Sequence, residues 1–282
     1  MNLPEARKSG FQILRSYSDT PALDTRIILG WITGLSQGEI LTSEASLTPA
    51  QVMRFMNALQ KRCNGRSVAY IIGKKEFYGH DFAVGPGVLV PRPDTEILVE
   101  AALEFLRGID CPSVLDICTG SGCIGISLKS ALASEGKSCA LTLSDISPQA
   151  LRFARRNCRQ IIGNDAKCVK SDLFGAFEGC RFNLITANPP YIDPREKSML
   201  APEVLCEPPL ALFAGDFGME VLARIAGDGP GLLENGGLLL VECGCTQASD
   251  VKSLMEKAGL GRCFVLEDLG GRPRCVGGYR DA

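Results

Sequence analysis

The feature that most constrains the fold is a regular alternation of short apolar runs with helical segments, which begins near residue 94. The apolar runs cover residues 113–117, 140–144, 182–186 and 238–243. Apolar residues recur at helical spacing in segments 95–106, 124–133, 148–160, 219–232 and 247–257. Strands that alternate with helices predict a mostly parallel sheet covered on both faces. The pattern therefore predicts an α/β fold, with two late strands at 264–266 and 274–279.

The chain before residue 94 has a different pattern. Apolar residues recur at helical spacing in 6–17, 23–35 and 49–63, and residues 77–90 alternate like a β-hairpin. We therefore expect three parts: a small all-α N-terminal domain at 1–75, a β-hairpin connector at 76–93, and the α/β domain at 94–282.

Charge and composition limit the possible partners. The net charge is -2 and the pI is about 5.7, whereas a protein that grips a long nucleic acid usually has a basic surplus. The first ten residues lack the apolar core of a secretion signal, and no apolar run approaches the length of a membrane span. We expect a cytoplasmic protein with no stable nucleic-acid partner and no membrane partner.

The cysteines favour free thiols in a reducing compartment. There are thirteen, scattered and without a C-x-x-C spacing. His80 is the only histidine, so neither a metal site nor a Ser-His-Asp hydrolase is expected.

A glycine-rich loop directly follows the first strand of the α/β domain and leads into a predicted helix. Its members are Cys118, Thr119, Gly120, Ser121 and Gly122. Glycines let the backbone approach a ligand, and the free N–H groups of a helix N-terminus bind anionic groups. Open α/β sheets bind nucleotide-type ligands at this point. The segment 120–125 also fits the dinucleotide pattern G-x-G-x-x-G, and a purely structural turn is a third interpretation.

Three residues that follow the next strands, two aspartates and a leucine, are candidates to contact such a ligand. Asp145 ends the second strand, where a carboxylate accepts from both hydroxyls of a ribose; capping the next helix is the alternative. Asp172 is a candidate acceptor for an adenine amino group, and Leu173 a candidate to pack on the ring.

The segment Asn188-Pro189-Pro190-Tyr191 carries the chemistry. It follows an apolar strand, and its prolines hold a rigid backbone with free carbonyls. An amide nitrogen is a poor nucleophile that must be held in line and made more electron-rich. The Asn188 side-chain oxygen and the Pro189 carbonyl can accept its two N–H groups, and Tyr191 can stack on the flat group. No general base is needed, because the alkylated nitrogen is strongly acidic.

A proline-rich turn that caps a strand is the alternative interpretation of this segment. A hydride-transfer enzyme has no use for such a row of acceptors, which argues against the dinucleotide interpretation. Together with the glycine-rich loop, the segment predicts methyl transfer from S-adenosylmethionine (SAM) to a planar nitrogen.

These residues, in this order, resemble class I SAM-dependent methyltransferases of the N-P-P-Y kind, which have a Rossmann-like sheet. Further segments resemble the release factor glutamine methyltransferases, the PrmC/HemK family, over almost the whole chain. These segments lie at 70–73, 76–79, 90–96, 207–212, 242–247 and 268–272.

The resemblance implies methylation of the side-chain amide nitrogen (N5) of the glutamine in the Gly-Gly-Gln motif of class I peptide chain release factors. It implies that the helical domain helps to seat the release factor. The loop 118–122 with Asp145, Asp172, Leu173 and Asn188 would hold SAM. Asn188, Pro189, Pro190 and Tyr191 would hold the glutamine.

One residue departs from the family pattern, and other functions remain open. Cys118 stands where the family usually has glycine, so a positive φ there would add strain of about 1 kcal/mol. The alternatives are an adenine-N6 methyltransferase acting on DNA or RNA, a glutamine methyltransferase acting on a ribosomal protein, and a catalytically idle SAM-binding adaptor.

Overall fold

The computed structural model describes residues 1–281, and the chain divides into two compact units. The first unit contains residues 1–74 together with 200–206, and the second contains 75–199 and the chain from 207 onward. Each unit is described separately below. The domain limits expected at 75 and 93 stay a prediction.

The first unit is helical. Its helices are α1 (Leu3–Leu14), α2 (Pro21–Thr33), α3 (Gln37–Thr42), α4 (Pro49–Cys63), α5 (Val68–Ile72) and, from the later segment, α9 (Pro202–Leu205). Asn2, Ser36 and Thr48 each form a capping box, in which the side chain accepts the N–H of the third helical residue. The apolar faces enclose a core that includes Leu14, Leu29 and other fully buried side chains.

A buried arginine ties segment 200–206 into this unit. The Arg62 Nε lies 2.7 Å from Oδ2 of Asp24, and its Nη2 lies 2.5 Å from Oε2 of Glu203. Arg62 and Asp24 are each about 6% exposed, so both charges are removed from water and each needs the other.

The second unit begins one residue into the hairpin β1 (Lys74–Phe77) and β2 (His80–Ala83) and continues as an α/β fold. Its remaining strands are β3 (Ser113–Ile117), β4 (Ala140–Asp145), β5 (Lys167–Lys170), β6 (Phe182–Ala187), β7 (Leu233–Glu242), β8 (Leu260–Glu267) and β9 (Pro273–Arg280). Its helices are α6 (Glu96–Leu106), α7 (Cys123–Ser134), α8 (Pro148–Ile162), α10 (Pro209–Leu212), α11 (Glu220–Asp228) and α12 (Ala248–Lys257).

The seven strands form one mixed sheet in the order β5-β4-β3-β6-β7-β9-β8. The first five strands pair in parallel, and β9 pairs antiparallel with both β7 and β8. Consecutive residues of a strand face opposite sides: Leu184 lies in one apolar core and Ile185 in the other. The predicted α/β fold class, with helices on both faces and a helical N-terminal region, is confirmed.

Two element limits differ from the sequence prediction. The helix expected at 219–232 ends at Asp228, because Pro230 cannot continue it and a 3-10 turn follows. Strand β7 begins at Leu233, earlier than the apolar run suggested, and its first residues include the glycine turn at 236.

The strand order places a crevice at the end of β3. The chain passes from β3 to β4 and β5 on one side, and returns to β6 and β7 on the other. Ligands of open α/β sheets bind outside the carboxyl ends of the strands where the order reverses in this way. The loops after β3, β4 and β6 therefore meet at one place.

Candidate active site

The glycine-rich loop has a strained backbone. Cys118, Gly120 and Gly122 all have positive φ, at 52°, 56° and 83°. Only glycine adopts this region without strain, so Cys118 carries the strain of about 1 kcal/mol expected for a positive φ. Gly122 is the N-cap of α7 and offers no side chain to the first N–H groups; of these, the Gly125 N–H is bound by Asp116.

A buried carboxylate holds this loop in place through hydrogen bonds. Asp116 is 0% exposed and accepts from the Thr119 hydroxyl at 2.5 Å, the Thr186 hydroxyl at 2.8 Å and the Gly125 N–H at 3.3 Å. Loss of solvation raises the pKa of Asp116 from 3.8 to about 6, against the opposing effect of these hydrogen bonds. No sequence-based prediction assigned this role to Asp116. A lone acid within an apolar strand was the signal that could have revealed it.

Asp145 joins the loop to the end of β4. Its Oδ2 accepts the Gly120 N–H at 2.9 Å and its Oδ1 accepts the Ser147 N–H at 2.8 Å. Burial raises the pKa of Asp145, and these backbone bonds oppose the rise. The alternative role as a helix cap is wrong, because Ser147 is the N-cap of α8 and accepts the Ala150 N–H. Each carboxylate oxygen retains a lone pair for a further donor.

Two adjoining cavities lie beside these residues. One, of about 690 Å³, is lined by loop residues 118–121 with Asp145, Asn188 and Pro190. The other, of about 780 Å³, is lined by Ile146, Asp172 and Leu173. Cys118, Asp145 and Pro190 line both cavities.

The two residues predicted to contact adenine, Asp172 and Leu173, lie in different surroundings. The Asp172 carboxylate is half exposed and paired with Arg224 at 3.0 Å, so a ligand would share it with this arginine. Leu173 is 7% exposed and has a φ of 44°, a strained conformation that no sequence pattern indicated.

The Asn188–Tyr191 segment begins where β6 ends, at Ala187. The Asn188 Nδ2 donates to the Thr95 hydroxyl oxygen at 3.3 Å, which leaves Oδ1 as the free acceptor. Pro189 is buried, and among residues 1–281 no donor bonds its carbonyl oxygen. Asn188 and Pro190 line the cavity of about 690 Å³, whereas Pro189 and Tyr191 are not among its lining residues.

Tyr191 is held by a second buried carboxylate. Its hydroxyl donates to Oε1 of Glu242 at 3.1 Å, and Glu242 is 2% exposed. Burial raises the pKa of Tyr191, and the neighbouring Glu242 charge raises it further. Burial also raises the pKa of Glu242, against hydrogen bonds from Thr95 and Tyr191 and the charge of Arg274. The phenol is therefore a neutral donor at physiological pH.

The backbone that follows Asn188 is clamped by Gln247. The Gln247 Nε2 donates to the Tyr191 carbonyl at 3.0 Å, and its Oε1 accepts the Gly244 N–H at 2.9 Å. A Cβ at Gly218 would lie 2.1 Å from the Tyr191 carbonyl oxygen, so only glycine fits there. The stretch 242–247 is part of the family resemblance, but no sequence pattern indicated this role for Gln247.

An arginine also lines the cavity of about 690 Å³. Arg92 pairs with Glu207, which is 2% exposed and also accepts the Val90 N–H at 2.9 Å. The pair fixes the loop before α6 against the cavity. Arg92 was absent from the predicted site residues.

A glycine-rich loop after the first strand of such a sheet, an acid after the second and Asn-Pro-Pro-Tyr after the fourth together define a class I methyltransferase. Residues 94–216 match the family model described as methyltransferase small domain, and residues 5–73 match the PrmC N-terminal domain.

Full-length relatives identify the family. A release factor glutamine methyltransferase from Bordetella pertussis is 36% identical over 92% of this chain and 95% of its own length. One from Salmonella typhimurium is 36% identical over 93% of each chain. The chain therefore belongs to the release factor glutamine methyltransferase family.

A solved structure agrees on the fold. The T. thermophilus 16S rRNA N2 G1207 methyltransferase in complex with AdoMet and guanosine has a TM-score of 0.52 and 17% identity, over 73% of this chain and 49% of its own. Among residues 1–281, no helix combines the length and apolar character of a membrane span.

Proposed function

We propose that this protein transfers the methyl group of SAM to the side-chain amide nitrogen (N5) of the glutamine in the Gly-Gly-Gln motif of class I release factors. The observation that carries the proposal is the orientation of Asn188. Its amide nitrogen is engaged by Thr95, so its oxygen is the acceptor available in the cavity that the glycine-rich loop also lines. The relatives that are named release factor glutamine methyltransferase support the choice of substrate.

The residues present fit SAM. The Asp145 carboxylate suits two ribose hydroxyls, and the uncapped N-terminus of α7 suits the carboxylate of the methionine part. The Ser121 hydroxyl is buried and has no hydrogen-bond partner among residues 1–281, and so has bonding capacity for a ligand. Asp172 and Leu173 would take the adenine, and Asn188 would lie beside the reacting group. Bound SAM supplies an electrophilic methyl group.

Asn188 and Pro189 would activate the glutamine nitrogen. The Asn188 Oδ1 accepts one N–H and the Pro189 carbonyl accepts the other, which makes the nitrogen more electron-rich and stabilises the positive charge that develops on it. The prolines fix the two acceptors in one direction, so the substrate amide has one permitted orientation. Tyr191 and Pro190 would enclose the flat amide group of the substrate.

No side chain of the segment needs to remove a proton. Tyr191 is a neutral donor whose hydroxyl is committed to Glu242, and it is therefore not a base. The methylated amide is acidic enough to release its proton to water.

We further propose that the enzyme acts in the cytoplasm on release factors and that the helical unit helps to seat this protein substrate. The match of residues 5–73 to the PrmC N-terminal domain supports the second point.

The test is incubation with labelled SAM and a class I release factor, in parallel with RNA and with ribosomal proteins, followed by mass mapping of the modified residue. Label on the Gly-Gly-Gln glutamine is expected. Label on an adenine, or on a ribosomal-protein glutamine, would replace the proposal by one of its alternatives, and SAM binding without transfer would indicate an adaptor.

A further inference from the structure

Asn157 is a fully buried polar side chain on α8. Its Oδ1 accepts the Ala83 N–H at 2.8 Å, and its Nδ2 donates to the carbonyl oxygens of Ala83 at 3.1 Å and Ser121 at 2.9 Å. Exchange of the oxygen and the nitrogen would put donor against donor and acceptor against acceptor at all three contacts. The amide therefore has one orientation, and it joins two separate pieces of backbone.

Both of these pieces of backbone form walls of the cavity of about 690 Å³. Ser121 belongs to the glycine-rich loop and lines the cavity itself. Ala83 ends β2 and begins a stretch, residues 83–90, that we call the wall segment. The Val88 side chain lies 3.6 Å from the point where a Cβ at Gly120 would stand, which brings the wall segment against the glycine-rich loop. The wall segment lines the cavity with Gly87, Val88 and Leu89.

The wall segment lies along one face of α8. Asn157, Phe153 and Gln149 are spaced four residues apart, so they share this face. A Cβ on Gly85 would lie 3.1 Å from the Phe153 ring, and one on Gly87 would lie 2.8 Å from Oε1 of Gln149. These glycines therefore permit the close approach of the backbone to the helix. Asn157 differs from the other two helix residues because it also bonds the glycine-rich loop.

We propose that Asn157 is a positioning residue that sets the separation of the wall segment and the glycine-rich loop, and through it the affinity for the cofactor. The inference rests on the proposed use of SAM. Asn157 is not among the residues that line the cavity, so it acts through the backbone of Ala83 and Ser121. The Ser121 hydroxyl is buried without a hydrogen-bond partner among residues 1–281, and the bond from Asn157 to the Ser121 carbonyl fixes where that hydroxyl points.

Asn157→Ala removes all three hydrogen bonds, and Asn183→Ala is the matched control. The Asn183 Oδ1 accepts the Ser113 N–H at 2.8 Å and so joins β6 to β3, but at the amino ends of these strands, away from the cavity. Both substitutions remove a side-chain bond to backbone and should lower the melting temperature. Asn157→Ser is a milder variant, because its hydroxyl offers one donor where the amide offers two.

The experiment measures SAM affinity by calorimetry, SAM dissociation by stopped-flow displacement, and kcat at saturating SAM with a release factor as substrate. In Asn157→Ala we expect SAM affinity to fall about 10-fold, mainly through faster dissociation, because a wall that is free to move holds the cofactor less well. The value of kcat should stay within about 3-fold, since the acceptors at Asn188 and Pro189 are untouched. Asn183→Ala should keep both the affinity and the dissociation rate of the wild type. Asn157→Ser should lie between the wild type and Asn157→Ala.

Equal SAM dissociation in Asn157→Ala and Asn183→Ala would overturn the inference, because Asn157 would then be merely structural. A fall in kcat as large as the fall in affinity would also overturn it. If Asn157→Ala does not fold, Asn157→Ser decides, and wild-type SAM dissociation in that variant rejects the role. Failure of the proposed function is separately visible: wild-type protein that binds SAM but does not label a release factor rejects the proposed substrate, and the SAM affinities of the variants still decide the role of Asn157.

Discussion

The two halves of the site, the glycine-rich loop and the Asn188–Tyr191 segment, are both supported by a buried carboxylate at a strand end, but in different ways. Asp116 accepts three donors and holds the shape of a backbone loop. Glu242 accepts from the hydroxyl of a single side chain, Tyr191, and Asn188 donates to the Thr95 hydroxyl.

The two kinds of support match two kinds of function, which are cofactor binding and activation of the substrate nitrogen. A loop that binds through backbone N–H groups needs a fixed shape, and changes to its support should alter stability and cofactor affinity. An acceptor that activates a nucleophile needs a fixed polarity, and changes there should alter turnover while cofactor binding persists.

The largest expected effect comes from Asn188→Ala. Loss of one preorganised acceptor should lower kcat by about 100- to 1000-fold, because its bond strengthens as charge develops on the substrate nitrogen. SAM affinity, measured by calorimetry, should change by less than about 3-fold. Equal losses in turnover and in SAM affinity would refute the separation of the two halves.

Asp116→Asn tests the loop support through pH. The raised pKa means that folded protein holds the Asp116 proton more tightly than unfolded protein, so stability from this group is present below pH 4 and is lost as pH rises to about 6. Wild type should lose about 2 kcal/mol of unfolding free energy over this range relative to Asp116→Asn. Parallel denaturant titrations at pH 4, 5, 6 and 7 measure it, and identical pH profiles would contradict the burial argument.

Asp145→Ala tests the cofactor contact. Removal of the charged acceptor should weaken SAM binding about 10- to 100-fold, since hydrogen bonds to charged groups contribute about 1.5–3 kcal/mol. Asp145→Asn keeps one acceptor oxygen and should lose less. Unchanged binding of SAM to Asp145→Ala by calorimetry would rule out the ribose contact.

The smallest effect is expected for Cys118→Gly. Relief of the strain at a φ of 52° should raise stability by at most about 1 kcal/mol, partly offset by the flexibility of glycine when unfolded. SAM affinity should hold or improve. Cys118→Ala removes the thiol and keeps the strain, so it is the control; a marked loss of affinity in both variants would mean that the thiol itself is required.

Much of this arrangement follows from local sequence. The strand–helix alternation predicted the sheet, and the loop residues 118–122 lie next to one another in the chain. The support of Asn188 does not follow in this way, because Thr95 lies 93 residues away and Glu242 is 51 residues from Tyr191. Such pairings leave no periodic pattern in the sequence, because they depend on which strands become neighbours. The positive φ of Leu173 was hidden for a similar reason: leucine is not a residue that indicates a strained turn.

The inclusion of residues 200–206 in the helical unit has a practical consequence for truncation. A fragment that stops near residue 75 would leave Arg62 facing Asp24 without Glu203, although Arg62 is almost fully buried. Expression of the helical part for binding studies would therefore benefit from a tethered copy of the short helix at 202–205.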